Sequence, residues 1–372
     1  MNDPVIVAAR RSPIGTAGHG LRGVAAADLA APVLGAVHAE VPDLGRPAEI
    51  VLGNCMGPGG DVARVAGLAA GLGTDVPALT VDRQCGSGLA AVDVGVAMVR
   101  AGAPLVLAGG VESASTAPWR FWPPGDGVEP RRYERAPFAP ANIGDPDMGL
   151  AADLLAEERG ITRERQDAYA ARSHRLACAA RDAGAYDGEI VPVAGLARDE
   201  RPRAGLDEAR LARLPAAFRG SGTVTAGNSC GVNDGAAVIA IAAGNCGLPG
   251  LRVRATATAG VDPNRPGIGL VPAARIAMDR AGVGAEELDV VELNEAFAGQ
   301  VLACYDDLGI DPDRGCVEGG ALALGHPWGA SGAVLVTRLF SQMIRAGRGR
   351  YGLAAIAVGG GQGVAMVVEA CR

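Results

Sequence analysis

The chain has 372 residues, 49% of them hydrophobic, with 34 basic and 41 acidic side chains, a length that suits two or three domain-sized cores. A net charge of −7 argues against nucleic acid or an anionic membrane as the main partner. Every basic residue is Arg, and the absence of Lys excludes both lysine Schiff-base chemistry and a phosphate loop of the GxxxxGK[ST] type.

The N-terminal stretch alternates short apolar strands with helical runs. Val5–Ala9, Glu49–Gly53, Thr80–Asp82 and Pro104–Ala108 read as strands, and Asp28–Glu40, Val62–Leu72 and Ser87–Arg100 as helices. Such alternation predicts an α/β sheet covered by helices. From about 114 to 222 the texture changes to clusters of Pro, Trp and Arg, then two charged amphipathic helices, Gly149–Arg159 and Arg163–Asp182. This predicts an inserted loop domain, with the charge run 198–203 as a solvated face. The apolar run Ala236–Ala243 is far too short to span a bilayer. Alternation then returns. Val253–Thr258, Asp289–Leu293, Leu353–Val358 and Val364–Glu369 read as strands, and Pro272–Ala281, Glu295–Leu308 and Ala333–Met343 as helices.

The two alternating parts are similar. Cys85-Gly86-Ser87-Gly88 opens an apolar helix followed by a strand ending Gly109-Gly110. Gly329-Ala330-Ser331-Gly332 opens another, followed by a strand ending Gly359-Gly360. We read a duplicated pair, an N-terminal half over 1–240 carrying the loop domain and a C-terminal half over 250–372. No basic-then-apolar leader begins the sequence, and the tail matches no lipidation or peroxisomal address, so a cytoplasmic protein is expected. The eight cysteines form no CxxC pair, which predicts neither a zinc site nor disulfides.

Cys85 lies where a strand ends and a buried helix begins. The positive end of a helix dipole favours thiolate there, and flanking glycines leave N–H groups free to hold an oxyanion. A buried structural cysteine is the competing reading. His326 lies on the approach to the equivalent helix of the second half, whereas His19, His38 and His174 read as structural. If the halves pack about a pseudo-two-fold axis, Cys85 and His326 meet, and an imidazole beside a thiol is a common means of activating it. Asn294 follows the strand Asp289–Leu293, where it either holds a water or a thioester oxygen or caps a helix. The run Gly359-Gly360-Gly361-Gln362-Gly363 leads into a strand, which argues against a dinucleotide loop.

Taken together, Gln84-Cys85-Gly86-Ser87-Gly88, Ala108–Ser113, Gly222–Asn228, Asn294–Ala298, Gly325-His326-Pro327 and Gly359–Gly363 resemble, in order and over the whole chain, the thiolase family of acyl-CoA C-acyltransferases. The resemblance implies a five-layered αβαβα fold of two similar halves plus a loop domain, as a homodimer or homotetramer. It implies that Cys85 carries an acyl group and His326 activates it. His326 would also form an oxyanion hole with Asn294 through a water, and the N–H groups of Cys85 and Gly359 a second one. Met148, Ser229, Cys230, Arg213, Arg219 and Phe297 fall at substrate- or CoA-binding positions. No permanently bound cofactor is implied; the substrate is acyl-CoA or another pantetheine thioester.

The sequence also departs from that pattern. The family's second cysteine, an acid–base group, is replaced by Ala357, which cannot titrate. Cys230 stands where relatives often have Ser, and Asp147 where His is common before Met-Gly. Loss of the acid–base group leaves three outcomes open. Cys230 or Cys316 substitutes for it. Alternatively, decarboxylation generates the carbon nucleophile, as in the related ketosynthases, with a carrier protein as a possible donor. In the last, the chain is an acyl carrier or acyltransferase, or a non-catalytic partner subunit.

Overall fold

The computed structural model describes residues 3–125, 127–244 and 246–371. Met1, Asn2 and Arg372, which belong to the terminal stretches read above for targeting signals, lie outside the described residues. In chain order the elements begin β1 (Pro4–Arg11), β2 (Gly15–Thr16), α1 (Ala26–Ala39), β3 (Glu49–Gly53), α2 (Val62–Ala69), β4 (Ala78–Val81), α3 (Ser87–Arg100) and β5 (Leu105–Ser113). The middle of the chain forms a small hairpin, β6 (Arg120–Trp122) and β7 (Arg131–Tyr133), then α4 (Met148–Glu158), α5 (Arg163–Asp182), α6 (Glu208–Leu211) and β8 (Asn233–Ala243). The remainder is β9 (Gly250–Gly260), α7 (Leu270–Ala281), β10 (Val290–Leu293), α8 (Ala298–Leu308), α9 (Ala321–Leu324), α10 (Trp328–Phe340), β11 (Tyr351–Val358) and β12 (Gln362–Cys371).

The strands run in the order β10-β11-β12-β9-β1-β8-β5-β3-β4, with β2 paired to β8. β3 is parallel to β4 and β5, and β10 to β11, while the central pairings are antiparallel. Alternation along each strand sorts side chains into layers. In β3 and β5, Ile50, Leu52, Leu105 and Leu107 face a core shared with α1 and α2. Val51, Val106 and Ala108 face the opposite way, onto α3 and α10. In β11 and β12, Leu353, Ala355, Ala365 and Val367 face α7 and α8, whereas Ala354, Ile356, Val364 and Met366 face the same central helices. The layers therefore run α1/α2, sheet, α3/α10, sheet, α7/α8, as the resemblance implied.

The central helices touch through glycine. A Cβ on Gly88 of α3 would lie 2.8 Å from the Gly329 carbonyl oxygen, and one on Gly332 of α10 would lie 2.4 Å from the backbone of Leu89. Only glycine permits that backbone approach. As a result the N-terminal ends of α3 and α10 lie side by side.

Four details differ from the sequence reading. β8 was read only as an apolar run; it is a central strand, buried on both faces, so period-two alternation is absent from it. α8 begins at Ala298, because Phe297 is extended and bridges to Ser229. Gly329 does not open α10, which starts one residue earlier at Trp328. The charge run 198–203 is not simply a solvated face. Asp199 is buried, receives both Arg11 guanidinium nitrogens at 2.7 and 2.8 Å, and accepts the Ile14 N–H.

A buried ion network links the parts of the chain. Glu189 accepts from Arg11 Nε at 2.7 Å and Ser341 Oγ at 2.6 Å, and pairs with Arg338, which also pairs with Glu318. Arg11 lies on β1 and Arg338 on α10, so one carboxylate between them joins elements far apart in sequence.

Candidate active site

Cys85 caps a sharp turn between β4 and α3. The residue before it, Gln84, has φ +45°, a left-handed conformation that non-glycine residues adopt at a cost. Local hydrogen bonds hold it there. Arg83 N–H donates to Ser87 Oγ at 2.7 Å, Ser87 Oγ donates to the Gln84 carbonyl at 2.6 Å, and Gln84 N–H donates to Asp82 Oδ1 at 2.7 Å. Cys55 Sγ donates to the same Gln84 carbonyl at 3.0 Å. The backbone N–H groups of Cys85 and Gly359 lie near enough to Cys85 Sγ to favour its ionised form. Gly359 ends β11 beneath the Phe138 ring, which a Cβ at that position would meet at 2.7 Å.

His326 enters from the loop before α10. Its Nδ1 lies 2.6 Å from Ser331 Oγ in the first turn of that helix, and its Nε2 lies 3.5 Å from Asn294 Nδ2. Asn233 Oδ1 accepts the His326 N–H at 2.9 Å. Asn294 follows β10, and its own N–H donates to the Ala355 carbonyl at 3.0 Å. It caps no helix, because Phe297 occupies the cap position of α8. Buried Glu112 fixes the surrounding loops by accepting from the N–H groups of Cys55, Met56 and Gly329 at 3.1 Å each.

Cys85 and His326 line one cavity of about 120 Å³ together with Met148, Cys230, Phe297, Ala357 and Gly359. Its walls are largely apolar, and this decides the protonation states. Burial pushes the Cys85 thiol up to about 12, more than the two backbone N–H groups pull it down. Burial lowers His326 to about 4. Burial thus favours a neutral thiol beside a neutral imidazole and opposes the pull of the helix N-terminus toward thiolate. Such a pair transfers its proton as the sulfur attacks. A neutral alkylating agent such as iodoacetamide is expected to modify Cys85 ever faster from about pH 7 to about 9.5, since the reactive thiolate fraction is still rising there. Peptide mapping reads this out, and a plateau near the ordinary cysteine value of about 8.5 would contradict it.

The chain matches the family model for the thiolase N-terminal domain over residues 4–245 and that for the thiolase C-terminal domain over residues 249–370. It belongs to the thiolase family. Accordingly it is an acyltransferase. It is 42% identical to an acetyl-CoA acetyltransferase of Pseudomonas aeruginosa, over 99% of both chains. It is also 42% identical to a putative acetyl-CoA C-acetyltransferase of Bacillus subtilis, over 98% of both. The crystal structure of the Bacillus anthracis acetyl-CoA acetyltransferase superposes with a TM-score of 0.92 at 37% identity, covering 100% of this chain and 99% of that one.

The other residues singled out in the sequence divide into two groups. Met148, Cys230 and Phe297 line the cavity, as does Ala357. Ser229 does not; its hydroxyl turns back to donate to the Thr225 carbonyl at 2.7 Å. Arg213 is exposed, and Arg219 pairs with Glu157 at 2.7 Å. Arg219 follows Phe218, which meets Phe297 edge-on at 6.0 Å. Cys316 is removed from the list of substitutes for the lost acid–base group. It is buried away from the cavity and donates to the Leu293 carbonyl at 3.3 Å.

Sequence reasoning did not single out Glu295, which anchors the Asn294 loop. It accepts from Tyr169 at 2.9 Å, Ser173 at 2.7 Å and the Leu322 N–H at 3.1 Å. A carboxylate between a strand and an apolar helix was the available signal. Among the described residues no group of His, Cys, Asp and Glu could hold a metal, and no helix is long and apolar enough to cross a membrane.

Proposed function

We propose that this chain transfers an acyl group from a CoA-type thioester through an acyl-Cys85 intermediate, forming or breaking a carbon–carbon bond at a β-keto thioester. One observation supports the reading most directly: a neutral thiol, a neutral imidazole and two N–H groups near the sulfur converge on one apolar cavity. In this reading Cys85 attacks the thioester carbonyl while His326 takes its proton. The N–H groups of Cys85 and Gly359 then hold the developing oxyanion. Asn294, beside His326 Nε2, holds the oxygen of the second acyl group through a water. The names of the similar acetyl-CoA acetyltransferases agree with a small acyl unit on CoA.

The test is intact-mass measurement after incubation with acetyl-CoA and longer acyl thioesters. One acyl group per chain, located on Cys85 and lost in Cys85→Ala, is the expected result. No adduct from any thioester would refute the reading. Ala357 favours a second reading, in which decarboxylation of a malonyl or β-keto acid thioester generates the carbon nucleophile, with CoA or a carrier protein as the donor arm. That reading requires CO₂ release and no condensation of two acetyl-CoA molecules.

A further inference from the structure

Carbon–carbon bond formation between two acyl thioesters requires a group that removes a proton from the second acyl carbon. Cleavage requires a group that returns it. The cavity restricts the choice. Among its described lining residues, Cys85 carries the acyl group and His326 has taken the nucleophile's proton; the remaining side chains are apolar or amide, except Cys230.

Cys230 is held in place from both sides. Its N–H donates to the Ala296 carbonyl at 2.9 Å, and Ser229 bridges to Phe297, which docks it on the Asn294 loop. Two residues later Val232 bridges to His326. The sulfur therefore lies between the Asn294 and His326 loops, close enough to Cys85 for the two thiols to interact electrostatically. A cation accompanies it. The Arg201 guanidinium lies against Gly231, where a Cβ would meet it at 2.3 Å, and its buried Nε has no hydrogen-bond partner among the described residues.

We propose that Cys230, supported by Arg201, is the acid–base residue of the carbon–carbon step, a role for which Ala357 has no group. The proposal rests on the acyl-Cys85 reading above. Protons balance as follows. Cys85 gives its proton to His326 and attacks the first thioester, the carbonyl–sulfur bond breaks, and the departing CoA sulfur takes that proton back from His326. Cys230 then removes the α-proton of the second acyl thioester as its own thiol proton passes to His326 in the same cavity, with Arg201 opposing in part the burial that disfavours the thiolate. The resulting enolate carbon forms the new bond to the acyl carbonyl carbon. The bond to Cys85 breaks, and the Cys85 sulfur recovers its proton from His326. Cleavage runs the same steps backwards.

Cys230→Ser tests this, because Ser is nearly isosteric but does not ionise in this range. Two rates are measured: acetyl adduct formation on Cys85 from acetyl-CoA, and CoA-dependent cleavage of acetoacetyl-CoA. Acylation draws on Cys85 and His326 and not on Cys230, so the adduct is expected to form in the variant, while cleavage falls about 10²–10⁴-fold. Adding Ala357→Cys to the variant is expected to restore cleavage by placing a thiol at the opposite wall. Cleavage at the parental rate in Cys230→Ser overturns the proposal, as does a parent that is acylated at Cys85 but neither makes nor cleaves the β-keto thioester. Equal loss of both rates in the variant also overturns it, since Cys230 would then serve acyl transfer or packing. A parent that takes up no acyl group brings down the acyl-enzyme reading itself, and this proposal with it.

Discussion

A chain carrying His326→Ala is expected to fold and yet to form acyl-Cys85 about 10²–10⁴-fold more slowly than the parent. The size of the effect follows from the cavity. With the Cys85 thiol pushed up to about 12, very little thiolate exists near neutrality, and water cannot readily take the proton inside apolar walls. His326, lowered to about 4, is unprotonated throughout the neutral range and ready to accept it. The acid limb of the acylation profile is accordingly expected toward pH 4, well below the ordinary imidazole value, because the base is lost only as pH falls through the folded value. Rapid-quench mass measurement across pH reads both the rate and the limb. Loss of the Ser331 contact costs about 0.5–1.5 kcal/mol of stability, too little to unfold the chain. A His326→Ala variant acylated at the parental rate would remove His326 from the chemistry.

Glu189→Gln is expected to have the largest effect on stability, about 3–5 kcal/mol. The substitution leaves the guanidinium groups of Arg11 and Arg338 facing a neutral amide in a fully buried setting. Burial alone would raise the Glu189 carboxyl, but Arg338 and Arg11 outweigh it and hold the group below the ordinary carboxylate value. Its contribution is therefore complete above the unfolded carboxylate value and is lost as pH falls through the lower folded one. Urea unfolding at neutral pH is expected to show a lower midpoint with an unchanged slope. At acid pH the gap between parent and variant is expected to narrow. A midpoint unmoved at neutral pH would show that the network contributes nothing net.

Much of the architecture was legible because short apolar strands alternate with helical runs in each half and the helices start at small residues. Ser87–Arg100 and Arg163–Asp182 are bounded as their patterns indicate. β8 was not legible, since an apolar run alone does not distinguish a buried strand from a buried helical segment. Cys85, His326 and Asn294 were legible as candidates because each lies just past a strand or just before a helix, where backbone N–H groups and side chains converge, whereas Gly359 came from the resemblance alone. Protonation was not legible. The helix dipole is a property of sequence position, but the desolvation that opposes it comes from walls supplied by distant segments. The setting of Cys230 was likewise hidden, because it depends on backbone bridges from Ser229 to Phe297 and from Val232 to His326. Asp199 and Arg201 illustrate the same point in a charged run, where Asp199 meets Arg11 in the interior and Arg201 lies against Gly231, while Arg198 is exposed.

The contact between α3 and α10 through Gly88, Gly329 and Gly332 has an evolutionary side. It is made by main chain against main chain, so the gap between the sulfur on one helix and the ring approaching the other does not depend on which side chains line the cavity. Substitutions at lining positions such as 230 and 357 are therefore expected to leave the spacing between Cys85 and His326 unchanged. A scaffold so arranged lets new chemistry arise by single substitutions in the lining.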